Sequence, residues 1–143
     1  MNAEEIALAR RVVACGLPVP KWPYYVRHDQ VHGFATSETM FVPGGSVARD
    51  PDTGLTYRPV WTGEKLELLP VLDDFALLGW IITEARHRLN ESHLRARWSK
   101  SSQRWEVYGD SHKWQHIAGH HVGTGDTEVE ALVAALEAAK AAK

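Results

Sequence analysis

The fold of this chain is decided by the stretch Gly123-Thr124-Gly125-Asp126-Thr127-Glu128-Val129-Glu130-Ala131-Leu132-Val133-Ala134-Ala135-Leu136. Thr127 followed three residues later by Glu130 is the pattern of a capping box, in which each side chain accepts a backbone N–H at the start of a helix. The apolar residues that follow recur at helical spacing, at Val129, Leu132, Val133 and Leu136. This stretch predicts a C-terminal helix that begins at Thr127 and buries one face.

A second helical pattern begins at Asp73. Its apolar stripe consists of Phe75, Leu78, Ile82, Ala85 and Leu89, with Leu77, Ile81 and Arg88 beside it. We interpret the adjacent carboxylates Asp73 and Asp74 as helix-capping residues, because they stand where a helix start favours acidic side chains.

Three strands are predicted between the two helices. Residues 93–99 alternate, with Leu94, Ala96 and Trp98 facing the core and His93, Arg95 and Arg97 facing away. Residues 103–108 repeat the alternation with Trp105 and Val107 inward, and a less regular third strand is predicted over 113–122. The C-terminal part is therefore expected to be an αβββα sandwich with a three-stranded antiparallel sheet.

The N-terminal part begins with a short amphipathic helix, capped by Asn2 and ended by Gly16. Residues 17–70 contain all seven prolines of the chain, and Pro59 would confine the strand over 56–61 to a sheet edge. We expect irregular β-hairpins here, without a second core. The predicted class is α+β, with an N-terminal extension over 1–70 and the sandwich over 71–143, forming one cooperative unit.

The composition indicates an ordinary globular protein. The chain has 143 residues, 44% of them apolar, and a net charge of -2. Cys15 is the only cysteine, which excludes an intramolecular disulfide and is typical of a reducing compartment. We find no pattern of a signal peptide and no apolar run long enough to cross a membrane, so we expect a cytoplasmic protein without membrane contact.

The charge is unevenly distributed along the chain. Between Glu84 and Thr124 there are seven Lys and Arg residues against four Asp and Glu residues, which gives +3. The strand pattern predicts that Arg95, Arg97 and Arg104 share one face of the sheet, with Tyr108 and Lys113 near them. Arginine binds phosphate and carboxylate through a bidentate fork, so this face is our candidate site for an anionic ligand.

Two further considerations bear on this site. Six tryptophans are many for a small domain, and we select Trp22 and Trp61 as those available to a ligand or partner. The alternative interpretation of the arginines is an ordinary solvated face balanced by Glu91 and Glu106.

The histidines do not form a metal-binding pattern. His112, His116 and His120 are spaced by four residues, which on a strand separates neighbours by about 13 Å. No motif of a hydrolase, a zinc protease or a nucleotide-binding loop occurs. We therefore predict no catalytic residues, no metal and no cofactor.

Several segments resemble small phage and prophage proteins of the phage ABA-sandwich-like type. The similar segments are 72–80, 104–107 and 125–133, together with Leu8-Ala9-Arg10-Arg11-Val12-Val13-Ala14-Cys15 at the start. The resemblance implies a viral origin and a sandwich fold, and it transfers no catalytic residue.

We therefore expect a phage accessory protein that acts by stoichiometric binding inside the host cell. The role we favour is countering a bacterial defence system, either by sequestering an anionic nucleotide signal or by occluding a host protein. One alternative is a double-stranded-RNA-binding domain, whose helix-strands-helix order is the same, although the acidic residues Asp126, Glu128 and Glu130 would repel phosphate. A second alternative is a small hydrolase with a histidine-based site, and assembly into a homo-oligomer is left open.

Overall fold

The structure is a computed structural model that describes residues 1–18, 24–27, 30–33, 40–41, 47–50, 52–62, 65–109 and 122–141. The chain divides into two compact units, Met1–Leu77 and Leu78–Lys143. Within the described residues, no helix has the length and apolar character needed to cross a membrane.

Helix α1 (Ala3–Ala14) begins with the expected cap at Asn2. The Asn2 Oδ1 accepts from the Glu5 backbone N–H at 2.8 Å, and the Glu5 carboxylate accepts from the Asn2 N–H at 2.9 Å. Gly16, just beyond the helix, has a φ of 100°, a conformation that glycine adopts without a steric penalty. The predicted helix and both of its ends are confirmed.

The first unit contains two antiparallel sheets. A hairpin joins β1 (Tyr24–Arg27) to β2 (Gln30–Gly33). The larger sheet has the order β3-β4-β5-β6, formed by β3 (Met40–Phe41), β4 (Ala48–Arg49), β5 (Thr56–Thr62) and β6 (Lys65–Pro70). Helix α1 packs against β6, and Val12 and Tyr57 are fully buried. The expectation that this segment has no core of its own is therefore wrong.

Pro59 lies in β5, which is not the edge strand expected from its proline. Strand β4 pairs only with Thr56 and Tyr57 of β5, whereas β6 pairs with β5 along its full length. Pro59 therefore lies beyond the end of β4. On the side of β5 that faces β4, the described residues place no strand beside Pro59 with which its backbone could form a hydrogen bond. An interior strand tolerates the proline there because the missing N–H is not needed for pairing.

Helix α2 (Phe75–Leu89) buries a face that is only partly the predicted one, because Ala85 belongs to the predicted stripe whereas Leu77 and Ile81 lie beside it. Leu77, Ile81 and Ala85 are buried, whereas Phe75 is 89% exposed. The capping role of Asp74 is confirmed, since its carboxylate accepts from the Ala76 N–H at 3.2 Å. The other Asp74 oxygen accepts from the Thr56 N–H at 3.0 Å and so ties the helix start to β5.

The second unit contains the predicted order of helix, three-stranded antiparallel sheet and helix. Its strands are β7 (Arg95–Ser99), β8 (Arg104–Tyr108) and β9 (Gly123–Gly125), in that order across the sheet, followed by α3 (Glu128–Ala141). The described third strand lies later than the predicted 113–122. Residues 110–121, which hold most of that predicted strand, lie outside the described part of the chain.

Helix α3 lies directly on β9. A side chain at Gly123 would place its Cβ 2.4 Å from the Ala131 carbonyl oxygen, and one at Gly125 would lie 2.6 Å from the Ala131 nitrogen. Thr127 caps the helix, because its hydroxyl accepts from the Glu130 N–H at 3.1 Å. The Glu130 carboxylate accepts from Asp126 N–H at 3.1 Å, one residue earlier than in the expected capping box.

Candidate functional site

The register of the second sheet brings the three candidate arginines to one side. Arg95 lies opposite Tyr108, Arg97 opposite Glu106, and Ser99 opposite Arg104. Directly opposed residues in an antiparallel pair point to the same face, and residues two apart along a strand share that face. We call the surface formed by Arg95, Arg97 and Arg104 the arginine face.

Two of these arginines are exposed and form no ion pair with any described residue. Within the described residues, the guanidinium groups of Arg95 and Arg97 form no hydrogen bond and no ion pair, and both side chains are exposed. Arg104 differs, because its Nε lies 3.6 Å from the Asp126 carboxylate. That pair is solvated on both sides, so it holds Arg104 only weakly.

Glu106 lies among the arginines but is nearly inaccessible to solvent. Its side chain is in the middle strand, and only 7% of the residue is exposed. One carboxylate oxygen accepts from the Ser102 hydroxyl at 2.8 Å, and the other accepts from the Tyr108 hydroxyl. Tyr108 is half-buried and turned toward Glu106, so it is less available to a ligand than the arginines are.

The interpretation as a balanced, solvated face requires exposed carboxylates beside the arginines. Glu91 does not meet that condition either, since it is 6% exposed and its carboxylate packs over the Gly109 backbone, 2.8 Å from where a Cβ would stand. Both proposed counter-charges are therefore buried. The positive charge of Arg95 and Arg97 remains directed to solvent.

The opposite face of the sheet carries an aromatic pair. The rings of Trp98 and Trp105 meet edge to face, with centroids 6.0 Å apart and planes at 70°. Trp98 lies on the predicted face of the sheet, the one that carries buried Val107, but it is 47% exposed and not buried as expected. The reason is that α3 makes its closest approach at β9, and β7 lies two strands away, about 9.5 Å across the sheet.

The remaining candidates cannot be placed at this site. Lys113 and Trp22 lie outside the described residues, as do His112, His116, His120 and His121. The backbone of Trp61 lies in β5 in the first unit, and its side chain is outside the description. Among the side chains that are described, no three His, Cys, Asp or Glu residues are grouped to bind a metal.

One feature of this region has no signal in the sequence. The Arg86 Nε, from the last turns of α2, donates to the Leu94 carbonyl at 2.9 Å, just before β7. Sequence spacing could place Arg86 on α2 but not beside the edge of a particular strand, because that contact depends on the path of the chain between helix and strand.

No protein-family model, no curated protein and no solved structure matches this chain. The resemblance to phage sandwich proteins therefore stays a prediction.

Proposed function

We propose that this protein acts by stoichiometric binding of an anionic ligand on the arginine face. The observation that supports this most directly is the pair of exposed guanidinium groups on Arg95 and Arg97, which have no partner among the described residues. Their positions two residues apart on one strand place both side chains on one face, with Cα atoms about 6.6 Å apart. Two adjacent forks suit a ligand with more than one phosphate or carboxylate group.

The biological role follows only from the resemblance to phage proteins. On that basis we propose that the protein is a phage or prophage accessory factor that counters a bacterial defence system. The two ligand classes compatible with the arginine face are an anionic nucleotide signal and an acidic surface of a host protein.

Duplex RNA is a less suitable ligand. An RNA-binding domain of this element order grips phosphates partly through the start of its last helix. Here Thr127 and the Glu130 carboxylate already accept N–H groups at that start, and the Asp126 side chain beside them is 82% exposed. A phosphate at this helix start would meet the negative charge of Asp126 and Glu130.

The test is a double charge reversal, Arg95→Glu with Arg97→Glu. Each charged hydrogen bond contributes roughly 1.5 to 3 kcal/mol, so the loss of two should weaken binding by about 100-fold or more. The probes are ATP, cyclic di-GMP and a glutamate-rich peptide, each titrated calorimetrically against wild type and variant.

A matched control carries the same change in net charge elsewhere. Arg49 in β4 and Lys100 in the turn between β7 and β8 are exposed and are not among the three residues of the arginine face, so Arg49→Glu with Lys100→Glu is the control variant. We expect the control to bind nearly as wild type does. Equal binding by wild type and the Arg95 and Arg97 variant, or no binding of any probe by wild type, contradicts the proposed function.

A further inference from the structure

Strand β7 is the edge of its sheet. The order across the sheet is β7-β8-β9, and the described part of the chain places no strand on the other side of β7. An edge strand presents a row of backbone N–H and C=O groups that can pair with another extended chain. Which β7 residues present these groups follows from the hydrogen bonds of its neighbours.

The backbone groups of successive residues in a strand point alternately to the two sides. The Val107 carbonyl accepts from the Val122 N–H at 3.0 Å, on the side of β9. Glu106 and Tyr108, on either side of Val107, therefore direct their backbone groups toward β7, where they oppose Arg97 and Arg95. It follows that Ala96 and Trp98 direct their N–H and C=O groups away from the sheet.

The residue two positions before Ala96 shows this outward direction. The backbone groups of Leu94 point to the same side as those of Ala96 and Trp98. The Leu94 carbonyl accepts a hydrogen bond from the Arg86 Nε of α2 at 2.9 Å. Arg86 therefore marks one end of the available edge and adds a positive charge there. Within the described residues, the outward backbone groups of Ala96 and Trp98 have no such side-chain partner.

The side chains beside this edge differ between the two faces of the sheet. Arg95 and Arg97 are exposed on one face, and the indole of Trp98 is 47% exposed on the other. A strand added to β7 would present its own alternate residues to these two surfaces. Acidic residues would oppose the arginines, and apolar residues would pack near Trp98.

We infer that the β7 edge binds an extended, acidic segment of a partner protein by adding it to the sheet as a fourth strand, with acidic and apolar residues alternating along that segment. This inference rests on the proposed function, because it uses the same two arginines. A second copy of this chain is disfavoured as the occupant. If two β7 strands pair antiparallel with the twofold axis at Arg97, Arg97 lies opposite Arg97 of the second copy. With the axis at Ala96, Arg95 lies opposite Arg97. Like charges directly opposite each other repel in both cases.

The probe is a peptide of about seven residues, long enough to span β7, in which glutamate and valine alternate. The comparison peptide has the same composition with its glutamates and valines in two blocks. If the segment binds as a strand, the alternating peptide binds at least about tenfold more tightly than the block peptide. Only alternating residues direct the glutamates to the arginines and the valines to Trp98 at the same time. Equal affinity of the two peptides overturns strand addition but is compatible with anion binding by the arginines.

Backbone pairing is tested on the peptide, which leaves the protein unchanged. One peptide is N-methylated at every glutamate and another at every valine. In an added strand the N–H groups of one set face β7 and those of the other face solvent, so methylation of one set should abolish binding and methylation of the other should not. Equal loss or equal retention in both peptides overturns the inference.

A protein variant gives an independent measurement. Ala96→Pro removes an outward N–H, and an edge strand tolerates proline on its unpaired side. We expect this variant to keep the circular dichroism of the wild type and its affinity for the block peptide, and to lose at least about tenfold for the alternating peptide. Unchanged affinity for the alternating peptide contradicts the inference, and if Ala96→Pro does not fold, the methylated peptides decide.

Discussion

Tyr57 is the residue whose buried surroundings have the clearest consequence in solution. Its side chain is fully buried in the first unit, and its hydroxyl donates to the Pro18 carbonyl. Burial raises the pKa of the Tyr57 phenol, and the carboxylates of Asp50 and Asp74 raise it further, because both effects disfavour a phenolate.

We predict that the protein loses stability in alkaline solution through Tyr57. A group whose pKa is higher in the folded state than in the unfolded state contributes its full stability below the unfolded pKa, which for tyrosine is about 10. That contribution is lost as the pH rises further. The free energy of unfolding, measured in urea between pH 8 and pH 11, should therefore begin to fall near pH 10.

The control for this prediction is Tyr57→Phe, which lacks the titrating hydroxyl. The variant should be less stable than wild type at pH 8, because the Pro18 carbonyl loses its donor, and should show a shallower fall above pH 10. Parallel pH profiles of the two proteins would show that Tyr57 is not the group responsible.

Individual residues also show where sequence patterns are ambiguous. In α2 two adjacent stripes are apolar, one through Phe75 and Leu78 and one through Leu77 and Ile81. Periodicity identifies the helix but cannot choose between neighbouring stripes, because the choice depends on what packs against it. Trp98 is similar, since alternation gives its face of the sheet but not how far α3 extends over that face.

Among the secondary-structure elements, the contact between α3 and β9 depends on two glycines. Any side chain at Gly125 would clash with the backbone of α3, so helix and strand would have to separate. We predict that Gly125→Ala destabilises the protein by about 1 to 3 kcal/mol or more, the usual cost of overpacking. Urea denaturation measures the effect.

Gly79 provides a matched control for this prediction. It lies in α2 with nothing within 4 Å of an added Cβ. Gly79→Ala should therefore stabilise the protein by about 0.5 to 1 kcal/mol, because alanine has less conformational freedom to lose in a helix. If Gly125→Ala is as well tolerated as Gly79→Ala, α3 does not lie on β9 as described.

Helix α3 also allows its cap and its core to be compared. Thr127→Ala removes the acceptor of the Glu130 N–H and should cost about 1 kcal/mol. Leu132→Ala empties a fully buried position and should cost roughly 2 to 5 kcal/mol. Urea denaturation curves that show equal, negligible effects of both changes would contradict the packing of α3.

The elements differ in how far their sequences predict them. Strands β7 and β8 alternate over several residues and end at a polar turn, so both are confirmed within two residues. Strands β3 and β4 have only two residues each, too few for any period. Their places in the larger sheet depend on the pairing of β3 with β4 and of β4 with β5, and local sequence carries no record of these pairings.

At the scale of the whole molecule, the charge is divided between the two units. Residues 1–77 contain seven basic and ten acidic residues, a net charge of -3, and residues 78–143 contain nine and eight, a net charge of +1. The sequence predicts this asymmetry and the shared face of the arginines. It could not predict that Glu91 and Glu106 would be buried, because burial depends on groups brought together by folding.

This charge distribution leads to a prediction that separates a specific anion-binding face from general affinity for nucleic acid. A protein that neutralises several phosphates of an RNA duplex releases the counterions condensed on them. That release is less favourable at higher salt concentration, so the affinity falls steeply as salt is added. The arginine face offers two unpaired guanidinium groups, and the molecule as a whole is negative. We therefore expect weak binding to duplex RNA of any sequence, with a shallow slope of log K against log salt, about -2 or less in magnitude. Fluorescence anisotropy of labelled duplexes between 50 and 200 mM salt measures this slope.

Micromolar affinity with a slope near -5 would require about six neutralised phosphates. The described arginine face cannot supply so many contacts, and that result would favour the RNA-binding alternative over the one proposed here.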